Sequence, residues 1–198
     1  KYTQGKWESS TLTKDLNGLW FSLTADDLDG DGDQDLILGN IGKNIKWKAT
    51  DEKPFQVYAS DFDENGKSDI VLATYSGDKM VPVRGKQCST EQLPDLQSKF
   101  KSFESFATAG LEDIYNLNSA KKYSVNTLAS GILWNDGGSW TWSQLPSEVQ
   151  VSPINSAIVK DINKDGKKDL IVVGNLYAME VETTRLDAGK GAVLTQGD

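Results

Sequence analysis

Three short apolar runs mark the chain: Leu36-Ile37-Leu38, Ile70-Val71-Leu72 and Leu170-Ile171-Val172-Val173. Runs of this length, bounded by polar residues, read as buried strands. Ahead of each, apolar residues alternate with polar ones: Phe21, Leu23 and Ala25; then Val57 and Ala59; then Ala157 and Val159. A period of two puts every second side chain on one face of a strand. The pattern therefore predicts three strand–loop–strand units.

The polar stretch inside each unit has the same form, D-x-[DN]-x-[DN]-G-x-x-D. It is spelled by Asp27, Asp29, Asp31, Gly32 and Asp35; by Asp61, Asp63, Asn65, Gly66 and Asp69; and by Asp161, Asn163, Asp165, Gly166 and Asp169. Such internal repetition decides architecture before any single element does. Position 2 is apolar each time (Leu28, Phe62, Ile162) and is expected to anchor its loop to the core.

Elsewhere the pattern changes. Residues 1–18 read as the end of a hairpin, with Trp7 and Leu12 as apolar markers and Asn17-Gly18 as a turn. Ile45 to Lys48 and Met80 to Val83 read as third strands of the first two units. Leu93, Leu96, Phe100, Phe103 and Phe106 recur at helical steps, with Ser89 or Thr90 as a cap. Leu111, Ile114 and Tyr115 predict a second short helix after Gly110. This helical insertion, about 89–118, packs on the β-structure or forms a lid or docking surface. Leu128 to Leu145 reads as a hairpin turning at Asn135-Asp136-Gly137-Gly138. Trp140 and Trp142 share one of its faces; with Trp134 they could stack on sugar rings, but packing of outer strands is the expectation. Lys190 to Thr195 begins a further strand. The units span about 19–50, 55–84 and 128–185.

The repeated frame is calcium chemistry. A hard divalent cation takes six to eight oxygens at about 2.3–2.6 Å, and alternating carboxylates or amides on a curled loop supply them. Position 7 (Asp33, Lys67, Lys167) normally adds its main-chain carbonyl. Magnesium demands stricter octahedral geometry. Zinc is disfavoured in a chain with no His and one Cys. An EF-hand would need Glu at position 12, where Leu38, Leu72 and Val172 stand, and helices on both sides. Up to three ions are expected, held least tightly in the third loop, where Asn163 replaces an acid and three Lys crowd in.

Charge agrees with that assignment. The net charge is −8. The three frames carry −5, −3 and 0, so they account for all of it. The acidity belongs to the loops and not to an acidic tail, and no basic stripe marks a nucleic-acid surface. No apolar run is long enough to span a membrane. The lone Cys88 allows no internal disulfide. It also has no His to activate it. Glu112 and Asp113 are adjacent and do not face each other on a helix, so no catalytic constellation is found. Calcium loops of modest affinity fill where calcium is abundant, which points to an extracellular, cell-surface or periplasmic setting.

The strand–loop–strand unit resembles the FG-GAP (VCBS-type) repeat of integrin α-subunit β-propellers and their bacterial secreted relatives. Leu38-Gly39-Asn40-Ile41-Gly42 is echoed by Val173-Gly174-Asn175-Leu176-Tyr177, and Trp134 to Trp140 is similar to the outer hairpin of such blades. The resemblance implies an all-β fold of β-propeller-type blades, about three and so an incomplete propeller, with calcium loops between inner strands. The absence of an initiator Met and the turn at the last residues lead us to expect a piece of a longer protein. Its partners are then a protein or glycan ligand, with another copy or further blades completing the propeller. The implied function is a calcium-stabilised binding or adhesion module. The alternatives are the scaffold of a secreted carbohydrate-active enzyme and a structural spacer.

Overall fold

The computed structural model describes residues 2–196. Among them are thirteen strands in four antiparallel sheets, with 12% helix, and no sheet closes into a barrel. The chain divides into two compact units. One comprises the residues up to Gly42, Ala129–Asn175 and the residues from Asp187; the other comprises Lys43–Leu128 and Leu176–Leu186. The chain thus leaves the first unit at Gly42 and returns to it at Ala129.

In the first unit, β1 (Tyr2–Thr3) and β2 (Lys6–Trp7) form a small ribbon. Strands β3 (Ser22–Asp26) and β4 (Asp35–Gly39) pair across the first acidic loop, Leu23 opposite Leu38. In the second unit, β5 (Phe55–Ser60), β6 (Asp69–Ser76) and β7 (Lys79–Pro82) form a meander, the second acidic loop joining the first two. Strand β8 (Lys121–Val125) takes the other edge of β5. Back in the first unit, β9 (Gly131–Asp136) and β10 (Ser139–Gln144) make the hairpin. Its turn residues Gly137 and Gly138 both have positive φ, +58° and +91°, as a two-residue hairpin loop requires. Strands β11 (Ser156–Lys160), β12 (Asp169–Val173) and β13 (Ala192–Leu194) form the last sheet, the third acidic loop joining the first two.

Two elements differ from the sequence pattern. The hairpin, grouped above with the third unit, extends the first: β9 pairs with β4, Leu36 opposite Leu133. The segment from Ile45 to Lys48 is in no strand, although its burial alternates as a strand's would. The edge of β4 not taken by β3 belongs to β9. Trp47 is instead buried by stacking on Phe55, with ring centroids 4.6 Å apart.

The helical insertion is four short helices: α1 (Lys86–Gln92), α2 (Leu96–Lys99), α3 (Phe103–Ala107) and α4 (Leu111–Ile114). Pro94 cannot continue α1, because it lacks an N–H and clashes with the preceding turn. The N-cap of α1 is Gly85, while Ser89 lies buried inside the helix. Ser102 caps α3, accepting from Ser105 N at 3.0 Å. Leu93, Leu96, Phe100, Phe106, Leu111, Ile114 and Tyr115 bury against Tyr58, Val71 and Ala73 of the sheet.

The core of the first unit is separate. Leu28, Ile37, Leu145, Val149, Ile154, Leu170 and Val172 form it. Each fully buried aliphatic side chain of this kind contributes about 1.5–3 kcal/mol. Ile158, Val173 and Val193 lie on the opposite face of the last sheet and are half or more exposed. Trp134 sits against the core and donates through Nε1 to Ser143 Oγ at 2.8 Å, while Trp142 meets Trp20 edge-on. Among the described residues no helix is long and apolar enough to cross a membrane.

Candidate metal centres

Each acidic loop is closed by the same three hydrogen bonds. The position-9 carboxylate accepts the position-2 N–H: Asp35 from Leu28 at 2.9 Å, Asp69 from Phe62 at 3.2 Å, Asp169 from Ile162 at 2.8 Å. The position-1 carboxylate accepts the glycine N–H: Asp27 from Gly32 at 3.2 Å, Asp61 from Gly66 at 2.8 Å, Asp161 from Gly166 at 3.0 Å. Position 5 accepts from position 7: Asp31 from Asp33 at 2.8 Å, Asn65 from Lys67 at 2.9 Å, Asp165 from Lys167 at 2.8 Å. The backbone curls because its own N–H groups are drawn onto these side chains.

The curl needs positive φ at two places. Position 6 is Gly in all three loops, with φ between +86° and +98°. Position 4 also needs it, which the motif did not show: Gly30 supplies it freely, but Glu64 and Lys164 adopt +58° and +62° at a steric cost. The only signal in sequence was Gly30 itself.

Two loops gather three carboxylates. One oxygen from each of Asp27, Asp29 and Asp35 lies within 4.8 Å of the others, and the same holds for Asp61, Asp63 and Asp69. Ligands of one cation held at about 2.4 Å can stand at most about 4.8 Å apart, so this spacing fits a shared divalent ion. In the third loop Asn163 donates to Asp165 at 2.7 Å and accepts from Asp165 N at 3.0 Å. Asp165 has its pKa lowered, first by the Lys167 N–H and then by the Asn163 amide. Asp169 is fully buried, and its Oδ1 has no donor among the described residues. A buried carboxylate oxygen left unpaired is costly, and a cation would satisfy it.

Lys168 reaches out to Asp26, Nζ to Oδ1 2.5 Å, and that hydrogen bond holds its pKa above the ordinary value. Lys167 enters the loop pattern by its backbone N–H.

The loops are braced from outside by groups the motif could not reveal. Asn135 N donates to Asp35 Oδ1 at 2.9 Å, and Gly137 N to Asp33 Oδ2 at 2.9 Å, so the hairpin turn clasps the first loop. Gln92 on α1 donates to Asp69 Oδ1 at 3.2 Å. At position 2, Leu28 is buried and Phe62 packs on Tyr115, but Ile162 is 41% exposed and belongs to neither described core cluster.

The echoed glycine–asparagine phrases also have a shared role. Asn40 Oδ1 accepts from Leu19 N and Ile41 N, and Asn175 Oδ1 from Gly189 N, each tying down a loop after a central strand. No family model, no curated protein and no solved structure matches the chain.

Proposed function

We propose that this chain is a calcium-binding segment of an FG-GAP/VCBS-type β-propeller, acting outside the cytoplasm as a binding or adhesion module. The observation that carries the reading is the convergence of the position 1, 3 and 9 carboxylates in the first two loops. Three like charges this close repel one another, and a divalent cation turns that repulsion into attraction. The donors are hard oxygens on a flexible loop, which suits calcium better than magnesium.

The ions brace structure. Each loop joins two adjacent antiparallel strands. A cation fixing the loop fixes both strand ends. Two of the sheets have four antiparallel strands, the strand count of a propeller blade. The third loop offers Asp161, Asn163, Asp165 and Asp169, with an amide at position 3 where the first two loops have a carboxylate, and it is filled last.

Thermal unfolding in calcium and in EGTA, with metal content by mass spectrometry, tests this. The expected result is a large calcium-dependent rise in Tm with about two to three ions per chain. No shift and no bound metal would remove the basis for both the loops and the blades.

A further inference from the structure

The second unit carries a polar cleft that none of the acidic loops uses. Sheet β7-β6-β5-β8 turns one face to the helices, and Tyr58, Val71 and Ala73 on that face join the apolar cluster. Gln56, Tyr75 and Lys122 lie on the same face, by register, but outside that cluster. Two hollows of about 420 and 610 Å³ open there. Both are lined by Tyr58, Glu112, Leu117 and Lys122, so they form one continuous cleft. Its size is that of a small-ligand site.

The floor is polar where packing alone would favour an apolar residue. Gln56 is 6% exposed. Tyr58 donates its hydroxyl to Gln56 Oε1 at 2.5 Å, which fixes the amide. Burial, then the nearby Glu112 and Tyr75, raise the Tyr58 pKa, so its hydroxyl stays neutral.

The charges around the cleft balance: Lys79, Lys99 and Lys122 against Asp78, Glu112 and Asp113. Four of these are already engaged, Lys99 by lying over the Phe100 ring. Asp78 pairs with Lys53, Lys79 donates to Thr108 O, and Asp113 accepts from Gly110 N. Glu112 and Lys122 remain as an acceptor and a donor, beside the amides of Asn116 and Asn118. Neither Arg lines the cleft, so it lacks the fork that grips phosphate or carboxylate. An apolar ligand would leave Glu112, Lys122 and the Asn amides at the cleft wall without partners. A ligand dense in hydroxyls, uncharged, with C–H faces to lie on Tyr75 and Leu117, matches every one of these features.

We propose that the cleft between α4 and strands β5, β6 and β8 binds a neutral saccharide. This deepens the reading of the chain as a binding module by giving the ligand's class and place. Saturation-transfer NMR and calorimetry on the whole chain in calcium, with cello-, malto-, manno- and xylohexaose and with oligogalacturonate as the anionic control, test it. At least one neutral oligosaccharide is expected to bind and the galacturonate is not. Glu112→Gln and Lys122→Ala, both at exposed positions outside the acidic loops, should each weaken binding about ten-fold with no change in Tm. Binding by none of the four neutral sugars, binding that survives the double variant, or a galacturonate signal that Lys122→Ala abolishes would overturn it. The loops are read by Tm and the cleft by sugar, so saccharide binding without calcium stabilisation would sink the loop assignment and leave this one standing.

Discussion

At the scale of single residues, the glycines separate two kinds of constraint. Gly32 has φ +98° and open space where a Cβ would go, so only backbone strain opposes a side chain there. Gly39 has no such φ, but a Cβ would run into the Ile154 carbonyl and the Ser22 hydroxyl, which are themselves hydrogen-bonded at 2.7 Å. Gly32→Ala should therefore cost about 1–2 kcal/mol and should also weaken calcium, because the strained loop must hold the ligands. Gly39→Ala should cost about 1–3 kcal/mol through overpacking and leave the calcium midpoint unchanged. Calcium titrations followed by melting temperature distinguish them, and equal midpoints in both variants would refute the division. The first constraint was legible in the sequence, since Gly at position 6 of an acidic frame names its own reason. The second was not: the carbonyl that crowds Gly39 lies more than a hundred residues along the chain.

At the scale of elements, local patterns were legible and long-range pairings were not. The strands flanking each loop follow from period-two alternation, and the loops from nine-residue spacing, because both are set by neighbours in sequence. The partner of the hairpin is a choice between distant edges. Nothing in Leu133 or Trp134 says that β9 will take β4 in preference to β11. The helical stripe shows the limit from the other side. The spacing puts Phe103 and Phe106 on one face, yet Phe106 is buried against Phe100, centroids 5.3 Å apart, while Phe103 is 69% exposed with Lys86 over its ring. The break at Ser102 starts a new helix and resets the phase. Phe106→Ala should accordingly cost about 3–5 kcal/mol, as large cavities in cores do. Phe103→Ala should cost about 0.5–1 kcal/mol, the worth of an exposed cation–π contact. Urea unfolding of the two variants gives both values, and similar losses would show that the stripe is one packed face after all.

At the scale of the molecule, charge and connectivity meet. The first and third acidic loops belong to one compact unit and the second to the other. The −8 net charge is concentrated in the first two loops, so each unit carries its own strained acidic site and its own route to relief. Calcium should therefore act on the units separately. An ion at a hundred times its Kd stabilises its site by about 2.7 kcal/mol, close to a hundred-fold slowing of amide exchange wherever opening exposes that site. In the double variant Asp61→Asn, Asp63→Asn, hydrogen exchange should lose the calcium-dependent slowing in β5 and β6. It should keep that slowing in β3 and β4, whose loop retains Asp27, Asp29 and Asp35. The two core clusters share no residue, so no packed path within either cluster carries the loss across. Loss of slowing in all four strands would mean that the units open together, and calcium would then be a lock on the whole chain and not a brace for each sheet.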